Sequence, residues 1–147
     1  KSAKPSPGFS SGLSGRPTAV FICPSNPFVS VAPMLEIPGV LEQLRAAKVP
    51  IIVVSNIVGG EAIKGPAAKM MTELGMPQTA LGVARHYVQQ YGDLITGFVI
   101  DTLDSALEKE IADLGLETMV TKSVMLTLKD KVALAEEVLA FASTLEG

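Results

Sequence analysis

The chain contains few of the residues on which disulfide, zinc and nucleic-acid chemistry depend. Its 147 residues include one Cys and one His. This excludes a disulfide within the chain and leaves too few ligands for a zinc site built from this chain alone. The net charge of −3 argues against a nucleic-acid partner, which needs a basic stripe. No apolar run approaches the roughly 20 residues of a membrane span. We therefore expect a cytoplasmic protein without a membrane partner.

Aromatic and charged residues are also scarce, and aliphatic residues dominate what is left. Hydrophobic residues make up 48% of the chain and charged residues 18%, and there is no Trp. This composition is typical of a compact fold with a core of Val, Ile, Leu, Ala and Met. The length predicts one domain. The chain begins at Lys1 without Met or a signal-peptide pattern. From this we expect a fragment, or a domain whose other part is elsewhere.

Four apolar segments alternate with segments of helical periodicity. The apolar segments predict buried strands; they lie at 19–22, 51–54, 94–100 and 116–121. Helices are predicted between them and after the last one, at 39–48, 66–74, 79–91, 106–114 and 128–142. A strand, a helix and a strand at this spacing form a right-handed βαβ unit with parallel strands. The predicted fold is α/β, a Rossmann-like three-layer sandwich with a mostly parallel sheet.

The predicted domain organisation divides the chain into two parts. Residues 1–16 are rich in Lys, Pro, Ser and Gly, and we interpret them as a linker or the remnant of a preceding helix. Residues 17–147 form the α/β domain. Within this domain, residues 66–91 contain two consecutive helices and form a helical crossover between strands.

A loop stiffened by prolines follows the first strand. It carries Ser25, Asn26, Pro27 and Ser30. In an open α/β sheet, loops at the carboxyl ends of strands line the ligand crevice. Hydroxyls, an amide and backbone N–H groups suit phosphate or carbonyl oxygens. A tight turn in which Ser and Asn cap their own backbone is the alternative. The residues themselves leave both interpretations open.

A second loop, after the second strand, contains two glycines, a lysine and a third glycine. Gly59 and Gly60 permit positive φ and a close approach of the backbone to a ligand, and Lys64 and Gly65 follow. The phosphate-loop spacing GxxxxGK[ST] is absent. The alternative is a flexible connection with a solvent-exposed lysine.

Three further polar residues are candidates for function. The only histidine, His86, falls on the polar face of its predicted helix, and we expect it to be solvent-exposed. Asp101 ends the third strand, where a carboxylate could bind a metal or a ribose hydroxyl. We favour the alternative, in which Asp101 caps the next turn, with Asp104 as a second candidate cap.

Taken in order and at their spacing, four segments resemble the 2-phospho-L-lactate transferase family of coenzyme F420 biosynthesis. The segments are CPSNPFVSVAPML, VSNIVGGEAIKGPAAKMMTELG, ALGVARHY and GFVID. The resemblance runs from about Ala19 to the C-terminus and implies the C-terminal half of a larger fold. It also implies transfer of a phospholactyl or enolpyruvyl phosphate group from a guanosine diphosphate conjugate to the deazaflavin Fo. By the same resemblance, GMP would be released and magnesium would assist.

The resemblance also implies roles for both loops. The loop after the first strand, residues 23–30, which we call the SNP loop, would contact phosphate or Fo through Ser25, Asn26, Pro27 and Ser30. The loop after the second strand, residues 55–65, which we call the glycine loop, would lie near the acceptor and bind substrate through Gly59, Gly60, Lys64 and Gly65. Magnesium ligands are expected in the absent N-terminal half, no catalytic residue is assigned, and we expect the chain to be inactive alone. A homodimer remains open.

This sequence departs from the family pattern at four positions. The pattern has Pro at the position of Asn56, Lys at that of Glu61, an acidic residue at that of Ala68 and Asp at that of Lys122. Without a basic residue at Glu61, the sequence gives less support to phosphate binding by the glycine loop. Two alternatives to the enzyme stay open: a related nucleotide-binding regulatory protein, and a binding subunit without transferase activity.

Overall fold

The structure is a computed structural model that describes residues 3–62 and 65–145. Its strands are β1 (Val20–Ile22), β2 (Ile51–Val54), β3 (Ile57–Val58), β4 (Glu61–Ala62), β5 (Gly97–Asp101) and β6 (Glu117–Thr121). Its helices are α1 (Pro7–Ser14), α2 (Ala32–Leu35), α3 (Val40–Ala47), α4 (Ala67–Glu73), α5 (Ala80–Tyr91), α6 (Glu108–Ala112) and α7 (Leu128–Thr144). A π-helical turn (Pro27–Val31) precedes α2, and 3₁₀ turns (Gly92–Leu94 and Thr102–Leu107) precede β5 and α6.

A four-stranded parallel sheet forms the centre of the molecule, which confirms the predicted α/β class. Its strand order is β1-β2-β5-β6, and every neighbouring pair is parallel. Because right-handed crossovers between sequential strands place their helices on the same side, the helices between β1 and β6 lie on one face. Helix α7 follows the last strand and packs on the other face. The result is a three-layer arrangement.

The two faces of the sheet carry separate cores of unequal size. All four residues of β2 are buried, and they alternate between the faces. Ile51 and Val53 join the larger cluster, beneath α3, α5 and α6. The smaller cluster, beneath α7, consists of Ile52, Val54, Val99, Leu134, Val138 and Ala142. A strand buried on both faces explains the uninterrupted apolar run that predicted it.

Most element boundaries follow their capping residues. Thr79 caps α5 by accepting a hydrogen bond from the Gly82 N–H, and Thr127 forms the predicted capping box with Asp130 at the start of α7. The third strand of the sheet begins at Gly97, three residues later than predicted. The reason is that Gly92, with φ of +63°, introduces a 3₁₀ turn that reaches Leu94.

Two segments contain regular structure that the sequence did not define. Within residues 1–16, predicted as a linker or helix remnant, Pro7–Ser14 form α1, and Phe9 and Leu13 pack against the larger cluster. The glycine loop contains an antiparallel hairpin, in which β3 pairs with β4. Among the described helices, none combines the length and apolar character that a bilayer crossing requires.

Candidate functional site

Loops after β1, β2 and β6 enclose a cavity of about 520 Å³ together with the starts of α4 and α7. We call it the carboxyl-edge cavity, because it lies where the parallel strands end, as the ligand crevices of open α/β sheets do. Its size suits a small-molecule ligand. The residues that line it are Pro24, Ser25, Asn26, Val29, Ser30, Asn56, Gly65, Pro66, Ser123, Met125, Leu126 and Lys131.

The loop after β1 is ordered by the side chain of Asn26. Its Oδ1 accepts hydrogen bonds from the backbone N–H groups of Phe28 (2.9 Å) and Val29 (3.2 Å). These bonds start the π-helical turn, so Asn26 caps its own backbone, as the structural alternative predicted. The Nδ2 of Asn26 lies 3.5 Å from the Sδ of Met70. Both polar atoms of this amide are therefore already engaged.

Two hydroxyls of the same loop face the cavity without an internal partner. Ser25 and Ser30 are half-buried and line it. Within residues 3–62 and 65–145, neither hydroxyl makes a side-chain hydrogen bond to another residue. Both are free to bind a ligand oxygen. Pro27, by contrast, is buried at the start of the π-helical turn and does not line the cavity.

The Gly59–Gly60 pair lies in the β3–β4 hairpin, outside the lining of the cavity. The two glycines form the two-residue turn between β3 and β4, with φ of +57° and +80°. The Gly59 N–H donates to both carboxylate oxygens of Asp104, at 3.2 and 3.0 Å. Neither glycine lines the cavity, whereas Gly65 does. Lys64, the remaining predicted contact, lies outside the described residues.

Asp101 holds the loop after β6 against the end of β5. One carboxylate oxygen accepts from the Leu103 N–H at 3.1 Å, and the other accepts from the Ser123 N–H at 2.7 Å and its hydroxyl at 3.1 Å. Burial alone would raise the pKa of Asp101, but these hydrogen bonds and one from Thr102 together hold it below its usual value. The predicted capping role of Asp101 is confirmed.

The buried carboxylates at this edge do not fit a magnesium site. The oxygens of Asp101 and Asp104 accept hydrogen bonds from backbone N–H groups, which use part of their acceptor capacity and fix both carboxylates in structural roles. Neither carboxylate lines the cavity. No group of three metal-binding side chains occurs within the part of the chain that the structure describes.

His86 lies behind the SNP loop, and its predicted exposure is wrong. The side chain is half-buried, and its ring centroid is 4.8 Å from that of Phe28. The Nε2 atom is buried without a hydrogen-bond partner among the described residues. Desolvation by burial lowers the pKa of His86. The polar face of α5 is thus partly covered by the loop that precedes α2, a contact that helical periodicity does not predict.

Three lining residues with polar side chains were not predicted as contacts: Asn56, Ser123 and Lys131. Asn56 lies two residues after the end of β2, and Ser123 two residues after the end of β6, so position near a strand end was the signal that could have found both. Lys131 lies one turn into α7, where nothing in the sequence pattern distinguishes it from other exposed lysines. The roles predicted as substrate contacts remain predictions for all eight residues: Ser25, Asn26, Pro27, Ser30, Gly59, Gly60, Lys64 and Gly65.

Comparison with known proteins assigns the chain to a family. A family model described as 2-phospho-L-lactate transferase CofD matches residues 5–140. The 2-phospho-L-lactate transferase of Methanocaldococcus jannaschii is 39% identical over 126 residues, which are 86% of this chain and 38% of that protein. The phosphoenolpyruvate transferase of Streptomyces griseus is 34% identical over 140 residues, covering 95% of this chain and 43% of that protein. The chain thus spans about two fifths of the length of these relatives.

A solved structure supports the fold. The crystal structure of a Bacillus halodurans protein superposes with a TM-score of 0.60 at 17% identity, over 92% of this chain and 47% of that one. At this identity the likeness concerns the fold alone. Because the family model matches residues 5–140, the chain belongs to the 2-phospho-L-lactate transferase CofD family.

Proposed function

We propose that the chain forms one wall of the substrate site of a transferase. The reaction moves a phospholactyl or enolpyruvyl phosphate group from a guanosine diphosphate conjugate to the terminal hydroxyl of the deazaflavin Fo, and GMP leaves. One observation carries the proposal: the carboxyl-edge cavity presents free hydroxyls, an amide and a lysine. The two relatives are a 2-phospho-L-lactate transferase and a phosphoenolpyruvate transferase, and these names support this class of substrate.

Reactions of this kind depend on positioning and on neutralising the charge of phosphate oxygens. The Ser25 and Ser30 hydroxyls would donate to those oxygens, and the Lys131 ammonium group would offset their negative charge. The hydrogen bonds of Asp101 keep the Ser123 loop in place opposite the serines. The wall is therefore held in position before the ligand arrives, which lowers the cost of orienting the substrate.

Magnesium, which the family resemblance implies, supplies Lewis-acid stabilisation when bound. The described residues do not fit it, for the reasons given above, and we assign it no ligand in this chain. Accordingly, we propose that residues 1–147 alone do not catalyse the transfer. Calorimetry of GDP and Fo with this chain checks that claim, because tight binding of both would mean that its own residues complete the site.

The activity is tested on the complete gene product that contains this chain. It is assayed for GMP release from the guanosine diphosphate conjugate in the presence of Fo and magnesium. We expect turnover, and we expect the double change Ser25→Ala and Ser30→Ala to lower kcat/KM by about fivefold or more, since each hydroxyl contributes about 0.5–1.5 kcal/mol. The matched control is Ser143→Ala, an exposed serine on α7.

The outcomes separate the candidate functions. Unchanged kcat/KM in the folded double variant would contradict the assignment of the two hydroxyls. Binding of GDP by the complete protein without any GMP release from the conjugate would instead identify a nucleotide-binding protein without transferase chemistry.

A further inference from the structure

Asn56 is the buried polar side chain of the carboxyl-edge cavity that the fold leaves unused. It is 5% exposed and lines the cavity, yet its Nδ2 has no hydrogen-bond acceptor among the described residues. Buried amide groups in native proteins are nearly always paired, because an unpaired donor loses its hydration without compensation. An unpaired one beside a cavity therefore calls for a partner that is not part of the chain.

Asn26, the other side-chain amide at this edge, has a structural role. Asn26 engages both polar atoms, with two backbone N–H groups at its Oδ1 and the Met70 sulfur at its Nδ2. Asn56 makes no comparable contact, although its backbone is firmly placed. The neighbouring Ser55 hydroxyl bonds to the Ile57 carbonyl and N–H, at 2.8 and 3.2 Å. The backbone around Asn56 thus does not depend on the Asn56 side chain.

The lining of the cavity determines which ligand chemistry the amide can serve. Its polar side chains are hydroxyls, amides and the Lys131 ammonium group, and no acidic residue lines it within residues 3–62 and 65–145. Amide N–H groups and an ammonium group only donate, so the complementary ligand group is rich in acceptors. An anionic phosphate oxygen satisfies this requirement.

We propose that Asn56 is a ligand-binding residue, whose side-chain amide donates a hydrogen bond to a phosphate oxygen in the carboxyl-edge cavity. This inference rests on the proposed function only in placing substrate in that cavity.

The test measures binding and stability in the same variants of the complete gene product. Asn56→Leu removes the donor at similar volume, and Asn56→Asp replaces it with a negative charge. Gln89→Leu, at an exposed amide on α5, is the matched control. Calorimetry uses GDP and, separately, inorganic pyrophosphate, and thermal unfolding is followed without ligand.

We expect Asn56→Leu to weaken GDP binding about tenfold, which corresponds to about 1.4 kcal/mol. Asn56→Asp should weaken it further through charge repulsion, and the control should bind like wild type. The midpoint of unfolding should not fall in Asn56→Leu, because an unsatisfied buried donor has been removed. A purely structural asparagine would instead lose stability.

Measuring GDP and pyrophosphate separately distinguishes failure of the Asn56 inference from failure of the proposed function. If GDP binds equally to wild type and both folded variants, the Asn56 inference is wrong and the proposed function stands. If only pyrophosphate binds, and does so through Asn56, the nucleotide assignment fails and the inference stands. Loss of stability in parallel with binding, or no binding of either ligand to wild type, would overturn the inference.

Discussion

At the scale of the residue, His86 links the SNP loop to the pH dependence of folding. It is the only histidine, and burial against Phe28 lowers its pKa below the usual 6.5. Below pH 6.5 the unfolded chain therefore binds more protons than the folded one. The free energy of unfolding should fall as the pH drops from about 6.5 towards the folded pKa, and then level off.

Denaturant titrations at several pH values between 5 and 7.5 check this expectation. The variant His86→Phe should flatten the pH dependence in that window while keeping an aromatic contact with Phe28. A difference in the free energy of unfolding that is the same at every pH would reflect packing alone, so the comparison is between the two slopes with pH. Equal slopes for wild type and variant would contradict the assignment, since no other side chain has an ordinary pKa in this range.

Residue patterns predicted part of the candidate site and missed the rest for a physical reason. Strand ends and polar side chains were sufficient to find Ser25 and Ser30, because the geometry of parallel sheets brings such loops together. The partner of Gly59 could not be predicted in the same way. Its N–H goes to Asp104, 45 positions later, and only the three-dimensional fold shows that this donor is already used.

At the scale of the element, α5 contains a glycine that its packing requires. Gly82 lies in the first turn, where a Cβ would overlap the Pro77 carbonyl oxygen and approach the Met71 methyl group at 3.1 Å. Alanine normally stabilises a helix relative to glycine by about 1 kcal/mol. Here the close contact is with backbone, which cannot move aside cheaply, so Gly82→Ala should destabilise the protein by about 1–3 kcal/mol.

The matched control is Gly12→Ala in α1, where nothing lies within 4 Å of the added methyl group. That change should raise the free energy of unfolding by up to about 1 kcal/mol, as helix propensity alone predicts. Chemical denaturation of both variants provides the comparison. Stabilisation by Gly82→Ala would show that α5 can shift away from Pro77, and that close packing is not the reason for glycine at this position.

Periodicity predicted the elements better than their surroundings. The apolar run of β2 was sufficient to predict a buried strand, and Thr79 and Thr127 stand where α5 and α7 were predicted to begin. Strand burial and helix capping can be predicted in this way because they are repetitive or local effects. The β3–β4 hairpin was missed, since its strands are only two residues each and give no measurable alternation.

At the scale of the whole molecule, the two faces of the sheet are unequally covered. Helix α5 buries seven of its 12 residues, whereas α7 buries three of 17: Leu134, Val138 and Ala142. Because local opening costs less where fewer apolar contacts are lost, we expect α7 to open independently of the rest of the sheet. Its amides should exchange with deuterium faster than those of α5, β2 and β5.

A pair of valines on α7 makes this expectation specific. Val138 is 6% exposed and belongs to the smaller cluster, whereas Val132 is 48% exposed. Val138→Ala should remove about 1–2 kcal/mol of stabilisation by apolar burial, and so speed deuterium exchange throughout α7. The protection of α5 against exchange should stay almost unchanged. Val132→Ala should change neither. If Val138→Ala lowers protection equally in α5 and α7, the two cores unfold together and the sheet acts as one cooperative unit. If only α7 responds, the carboxyl-edge cavity has one mobile side, because Lys131 lies on that helix.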